Sequence, residues 1–195
     1  AKLLLAQKDY LIDIKKNSGR YILQNAGINS EKSDYGSAFY NNKIVFASAR
    51  DSDILGNTKH EWTGENFTNL YSYILESNGS LAFPERFVKK INTKYHESTP
   101  VFTKDGQTVY FTRNNFNNGK KGKDRNRITL LKLYKASLEE GQWKNIIELP
   151  FNNDEYSVAH PALSPDEKIL YFASNMPGTF GDSDLFSVSI ELDGS

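Results

Sequence analysis

The sequence predicts an all-β protein: a β-propeller segment of about three blades, each a four-stranded antiparallel sheet. Three observations predict it. SAFYNNKIVFASAR from Ser37, TPVFTKDGQTVYFTR from Thr99 and HPALSPDEKILYFASN from His160 repeat one another, each followed by a Leu-aromatic pair: Leu70/Tyr71, Leu133/Tyr134 and Leu185/Phe186. Aligning Val45/Phe46, Tyr110/Phe111 and Tyr171/Phe172 puts 65 and 61 residues between units. A second landmark keeps the same register, since Ile28-Asn29-Ser30, Ile91-Asn92-Thr93 and Phe151-Asn152-Asn153 precede Ser37, Pro100 and Pro161 by 9, 9 and 10 residues. Repetition at such a period marks an array whose units bury their apolar faces against neighbours.

Each unit reads as four strands. In the second, Pro100 to Thr103 is the inner strand and Lys104-Asp105-Gly106-Gln107 a tight turn, because Asp-Gly readily accepts positive φ. Thr108 to Arg113, Ile128 to Ala136 and Gln142 to Leu149 follow, with a turn at Glu140-Gly141 between the last two. The first unit gives Ser37 to Tyr40, Lys43 to Ser48, Asn69 to Leu75, a turn at Asn78-Gly79, and Leu81 to Val88. In the third, Pro161 to Ser164, Ile169 to Ser174 and Asp184 to Ile190 precede Asp193-Gly194-Ser195, where the third-to-fourth turn belongs.

Arg20 to Gln24 (RYILQ) stands before Ile28-Asn29-Ser30 as Asn145 to Leu149 stands before Phe151-Asn152-Asn153, so it is expected to be the outer strand of a preceding blade. Residues 1–19, with Leu4, Leu5, Tyr10, Leu11 and Ile14 at roughly helical spacing, are expected to be a linker or short helix from an upstream domain. Residues 20–195 then form the propeller segment, with blades at about 33–91, 92–151 and 152–195. Three blades do not close around a channel. Six in total are expected, these repeats being half.

Composition narrows the function. With 38% hydrophobic residues the chain can bury a sizeable core, and 13% aromatics with 13 Gly and 6 Pro favour strands and turns. Basic and acidic residues balance at 24 each, which argues against nucleic acid, a partner held largely by clustered Lys and Arg. No run approaches the roughly 20 apolar residues of a membrane span, so the chain is not expected to cross a bilayer. The start lacks a cleavable signal's apolar core. Without cysteine there are no disulfides or thiolate metal sites. Neither a Gly-x-Ser-x-Gly elbow, a phosphate loop nor an HExxH helix is present, and SPDEK lacks the glycine and terminal Trp of a sialidase Asp box, so no enzyme, catalytic residue or cofactor is expected.

Chemistry concentrates in the loops between second and third strands: Arg50 to Thr68, Asn114 to Arg127 and Asn175 to Ser183. These lie on one face of a blade disc, a common binding face in repeat proteins. RNNFNNGKKGKDRNR, from Arg113 to Arg127, sets six basic residues, among them Lys120, Lys121, Lys123 and Arg125, against one Asp. It suits a cell-wall polymer, a lipid headgroup or an acidic protein surface; the alternative is a solvated loop. Asp51, Asp53, His60, Glu61 and Trp62 share the first loop, but their spacing is not a calcium loop, Trp62 more readily pins the loop by burial, and no metal is expected. His96 and His160, similarly placed at inner-strand entrances, together with Arg50, Arg113 and Asn175 at second-strand ends, are candidates for a polar ring in the channel. Alternatively they bond crossover loops and hold blade to blade, the commoner fate of buried polar groups. Asp105 and Asp166 recur in turns and Asp184 opens a strand; the recurrence points to Asx capping.

HPALSPDEKILYFASNMPGTFGDSDLFSVSI resembles a WD40-like repeat of the PD40 type, found in TolB-like propellers and in the propellers of OmpA-family proteins of Bacteroidetes-type bacteria. TKDGQTVYFTR keeps the pattern, while NNKIVFASAR shortens the turn by two residues. The long inserts and ESTPVFTKDGQTVYFTRNNF fit the outer-membrane OmpA-family branch better than TolB. The resemblance implies a periplasmic, outer-membrane-associated protein with envelope protein partners, anchored to peptidoglycan through a domain not in this chain. It implies a non-enzymatic interaction platform, with a type IX secretion or gliding assembly as one setting. The alternatives are the substrate-gating propeller of an envelope serine peptidase, a TolB-like translocation component, or a carbohydrate-active propeller with paired carboxylates.

Overall fold

The structure, a computed structural model, describes residues 10–51, 59–61 and 63–191. Leu4, Leu5, Asp53, Trp62 and the Asp193-Gly194-Ser195 turn lie outside the described residues. After one helix, α1 (Tyr10–Asn17), the chain is built of strands: β1 (Asp34–Tyr40), β2 (Lys43–Ser48), β3 (Asn69–Leu75), β4 (Leu81–Arg86), β5 (Glu97–Phe102), β6 (Thr108–Asn114), β7 (Phe116–Asn117), β8 (Lys120–Lys121), β9 (Leu131–Glu139), β10 (Gln142–Glu148), β11 (Val158–Leu163), β12 (Ile169–Ser174) and β13 (Asp184–Ser189). They form antiparallel sheets ordered β1-β2-β3-β4, β10-β9-β6-β5 and β11-β12-β13, with β7 and β8 a small hairpin in the basic loop. Up-and-down order within each sheet and face-to-face packing of successive sheets make these propeller-type blades.

Alternation along β6 and β9 buries the middle sheet on both faces. Val109, Phe111, Tyr134 and Ala136 pack with Val45, Ala47 and Leu70 of the first sheet and with Phe87 just after it, joined by Ile91 and Trp143. Tyr110 and Leu133 turn the other way, onto Val158, Leu170 and Phe172 of the third sheet. Phe111, Tyr134, Leu70 and Leu133 are fully buried, and truncating such an aromatic typically costs about 3–5 kcal/mol.

The first strands begin earlier than their patterns indicate, at Asp34, Glu97 and Val158 rather than at Ser37, Pro100 and Pro161. The reason is a β-bulge in each, between Tyr35 and Ala38, Ser98 and Val101, and Ala159 and Ala162. The bulge residues occupy one repeat position and all have positive φ: Gly36 (66°), Thr99 (42°) and His160 (58°). Bulge meets bulge between sheets. A Cβ on Gly36 would stand 2.9 Å from Thr99 Cγ2, Thr99 Oγ1 lies 2.9 Å from Thr112 Oγ1, and His160 N donates to that Thr112 oxygen at 2.9 Å.

Two segments have no sheet to join. Helix α1 leaves Leu11, Ile12 and Ile14 exposed. Arg20 to Gln24, expected as an outer strand, enters no ladder among the described residues, and Tyr21, Ile22 and Leu23 are 81%, 89% and 93% exposed. Extended backbone becomes a strand only against a partner.

Candidate functional site

Each crossover between sheets is tied by the repeated landmark. Asn92 Oδ1 accepts from Leu70 N at 2.7 Å while its Nδ2 donates to the Leu70 and Phe87 carbonyls at 3.0 and 2.8 Å. Asn152 does the same one repeat on, accepting from Leu133 N at 3.0 Å and donating to Leu133 O at 2.7 Å. Behind Asn92, and behind its first-unit counterpart Asn29, sits an acid–arginine post. Glu97, across the ladder from Arg113, accepts from its Nε at 3.2 Å and from Thr93 N and Oγ1 at 3.0 and 2.6 Å. In the first unit Asp34 accepts from Arg50 Nη2 at 2.9 Å and from Ser30 Oγ at 2.8 Å.

Their environments set their charges apart. Burial pushes the Glu97 carboxyl up to about 7, against the pull of Arg113 and Thr93. Partial burial acts the same way on Asp34 but is outweighed by Arg50, Ser48 and Ser30, which hold it at about 2. The guanidinium of Arg113 lies over the Phe111 and Tyr134 rings, that of Arg50 over Phe46, Tyr71 and Tyr73.

Where the first two long loops meet, they enclose a cleft of about 560 Å³ lined by Lys59, His60, Glu61, Phe67, Tyr95, His96, Asn114, Lys121, Lys123, Arg127, Ile128 and Thr129. Its floor is aromatic: His96 packs edge-on against Phe67 (4.7 Å) and His60 (4.9 Å), and Phe67 against Tyr95 (5.5 Å). Its rim is cationic, with four Lys and Arg among the described lining residues against the single carboxylate of Glu61. Lys121 Nζ hangs 4.8 Å over the Tyr95 ring. Thr68 N donates to His96 Nδ1 at 3.1 Å, which fixes the proton on Nε2, and burial with the neighbouring His60 lowers His96 to about 4. At neutral pH His96 is therefore an uncharged N–H donor, a group that can hydrogen-bond an anion without itself needing a counterion.

Of the residues singled out in the sequence, His60, Glu61, His96, Lys121 and Lys123 come together in this cleft. Lys120 is exposed on the β7–β8 hairpin, and Arg125 pairs with Glu155 at 3.4 Å. Arg113 is buried, and Arg50 is part-buried, each donating to a crossover carbonyl, Ile91 O and Ile28 O. Asn175 Oδ1 accepts from Ser157 N at 2.7 Å, as Asn114 Oδ1 accepts from His96 N at 3.0 Å. His96 and His160 are not equivalent: His96 precedes its strand, whereas His160 is the bulge residue within one. Asp105 Oδ1 accepts from Gln107 N and Thr103 Oγ1, and Asp166 Oδ1 from Lys168 N and Ser164 Oγ, so both brace their turns. Phe67 and Tyr95 are the site residues that sequence reasoning missed; KYHE at residues 94–97, an aromatic and a histidine just before a strand, was the available signal.

No group of three or more His, Cys, Asp or Glu able to hold a metal occurs among the described residues, and no described helix is long and apolar enough to cross a membrane. No family model matches the sequence. No curated protein matches it either. Solved structures similar to this chain include a puromycin-hydrolyzing peptidase of Mycobacterium tuberculosis (14% identity, TM-score 0.49, 82% of this chain and 22% of that one). An α-L-arabinofuranosidase from Lactobacillus brevis (12%, 0.43, 85% and 50%) and a puromycin hydrolase (13%, 0.43, 87% and 32%) are others. This chain spans half or less of the length of each. Its propeller-type architecture is given by its own three sheets, whose strand order, register and packing are those of successive blades.

Proposed function

We propose that this chain is a non-enzymatic interaction segment of a cell-envelope propeller and that its long-loop face engages an acidic partner surface. The observation that carries this reading is the cleft: two loops converge on one face to set a cationic rim around an aromatic floor with a neutral His96 donor. Binding is favoured over glycoside turnover because Glu61 is the one carboxylate among the described lining residues, leaving no carboxylate pair there. The envelope setting, in the periplasm at the outer membrane with peptidoglycan anchoring through another domain and type IX secretion or gliding as the process, rests on the PD40-type motifs alone.

The test is titration of the chain with a fluorescent decaglutamate peptide and a decaserine control. Decaglutamate binds, weakening as salt shortens the screening length below about 10 Å, and K121E/K123E loses at least tenfold. Equal affinity for both peptides, or no effect of the charge reversal, overturns the binding reading. Turnover of peptide or glycoside substrates by the chain overturns the non-enzymatic one.

A further inference from the structure

The sequence carries two Asn-x-Ser/Thr triplets, Asn66-Phe67-Thr68 and Asn78-Gly79-Ser80. Such a triplet is the acceptor of N-linked glycosylation, in which a saccharide is joined to the asparagine amide and the transferring enzyme reads the hydroxyl two residues on. The fold puts the first triplet out of reach. Asn66 is 7% exposed and its Nδ2 donates to Asp51 O. Thr68 is buried, with its hydroxyl donating to Glu97 O at 3.0 Å. The amide nitrogen and the hydroxyl that the reaction needs are both engaged inside the protein.

The second triplet has the opposite setting. It lies in the turn between β3 and β4, and residues 76–80 are all exposed. Gly79 N donates to Glu76 O and Glu76 N to Ser80 O, each at 2.9 Å, while Ser80 N donates to Asn78 Oδ1 at 2.9 Å. This Asx turn holds the Asn78 amide by its oxygen. Its Nδ2, like the Ser80 hydroxyl, has no hydrogen-bond partner among the described residues. The exposure belongs to the position in the blade: residues 139–142, the same turn of the middle sheet, are exposed although sheets pack on both faces of that blade. The turn also stands clear of the cleft. β3 starts at Asn69, next to Phe67 and Thr68 on the long-loop side, and its seven residues, about 20 Å of strand, separate that side from the turn.

We infer that Asn78 is the attachment site of an N-linked glycan, transferred from a lipid-diphosphate-linked oligosaccharide. Asn78 Nδ2 attacks the anomeric carbon of the sugar. A C–N bond forms as the C–O bond to the diphosphate breaks, one amide proton passes to a base of the transferring enzyme, and the lipid diphosphate leaves. The glycan covers the short-turn face and leaves the long-loop face open to its partner. The inference rests on the envelope setting proposed above, because this transfer takes place outside the cytoplasm, and is independent of what the cleft binds.

Fractionation of the cells that make the protein, followed by mass spectrometry of each fraction, tests it. Trypsin cuts after Lys59 and Arg86, so residues 60–86 carry both triplets on one peptide, and electron-transfer fragmentation tells Asn66 from Asn78. The expected result is protein in the envelope fraction with a mass gain of whole saccharide residues on Asn78 and none on Asn66. N78Q and S80A lose the gain and S80T keeps it, all three with the wild-type circular dichroism spectrum, since the turn is exposed. Envelope protein with a bare Asn78, a glycan on Asn66 in its place, or a gain that survives N78Q overturns the inference and leaves the envelope setting standing. Protein confined to the cytoplasm and unmodified overturns both.

Discussion

Arg50 and Arg113 bring their guanidinium groups to the same place in successive repeats, each donating Nη2 to the carbonyl of the crossover isoleucine, Ile28 or Ile91, although Arg50 stands two positions later in its repeat. Ser48 fills the position that Arg113 holds, and its Oγ accepts from Arg50 Nε at 2.7 Å. The conserved quantity between the units is thus a charge at a point in space, reached along two different side-chain routes.

The two posts should differ in cost. R113M leaves Glu97 fully buried with its counter-charge gone, and a loss of about 3–5 kcal/mol is expected. R50A, at a more exposed pair, is expected to lose about 1–2 kcal/mol. Urea unfolding at pH 8 measures both, and R113M should recover part of its loss at pH 5, where Glu97 is protonated.

Two consecutive residues titrate against each other. His96, lowered to about 4, gives stability that is complete above its unfolded value near 6.5 and fades as pH falls towards 4. Glu97, raised to about 7, gives stability that is complete below its unfolded value near 4.5 and fades as pH rises towards 7. The wild-type melting temperature is therefore expected to change little between pH 4.5 and 6.5. H96N unmasks a decline with rising pH, and E97Q a rise; thermal melts across pH 4–8 read both.

At the bulges, Gly36, Thr99 and His160 all hold left-handed backbone. H160G relieves a residue that is exposed there and whose ring makes only a 3.4 Å contact with Thr99, so it should stabilise by about 0.5–1 kcal/mol. G36A adds a Cβ against Thr99 in the same backbone conformation and should destabilise by more than 1 kcal/mol. Denaturant midpoints compare them directly.

The crossover asparagines differ in what they hold. N92A and N152A orphan the Leu70 or Leu133 N–H, while each leucine carbonyl keeps Phe87 N or Leu149 N, and should each cost about 1–3 kcal/mol. N29A should leave the stability of the single molecule within about 0.5 kcal/mol of wild type. Chemical denaturation of the three variants beside wild type measures the difference.

Much of the fold is legible in the sequence. Lys43–Ser48, Asn69–Leu75 and Ile169–Ser174 have the bounds that apolar alternation gives them. The first strands read short in the sequence because Gly36, Thr99 and His160 each put one extra residue into the alternation, shifting the pattern by one just before Ser37, Pro100 and Pro161. The third strand of the middle unit begins at Leu131 instead of Ile128, since Arg127, at φ 66°, and the Asp124 carboxylate, which accepts from Ile128 N, hold those residues in the loop. The basic character of the cleft was visible as a charge run. Its floor was not: Phe67 and Tyr95 lie 28 positions apart and meet only through the packing of two sheets. Arg113 reads either as a channel residue or as a tie to a crossover loop, and its register opposite Glu97 with a bond to Ile91 O makes it the tie.

The bulges also decide which rims of the sheets can recruit another backbone. β1, β5 and β11 are the inner edges, and in each the bulge sets two residues against one, interrupting the even row of donors and acceptors that an adding strand requires. β13 pairs with β12 without a break from Ile169↔Ser189 to Ser174↔Asp184, and its outer row is correspondingly regular. Templated strand addition, the route by which sheets grow into aggregates, is thus hindered along the inner rims, whereas a strand added beside β13 would meet an unbroken row.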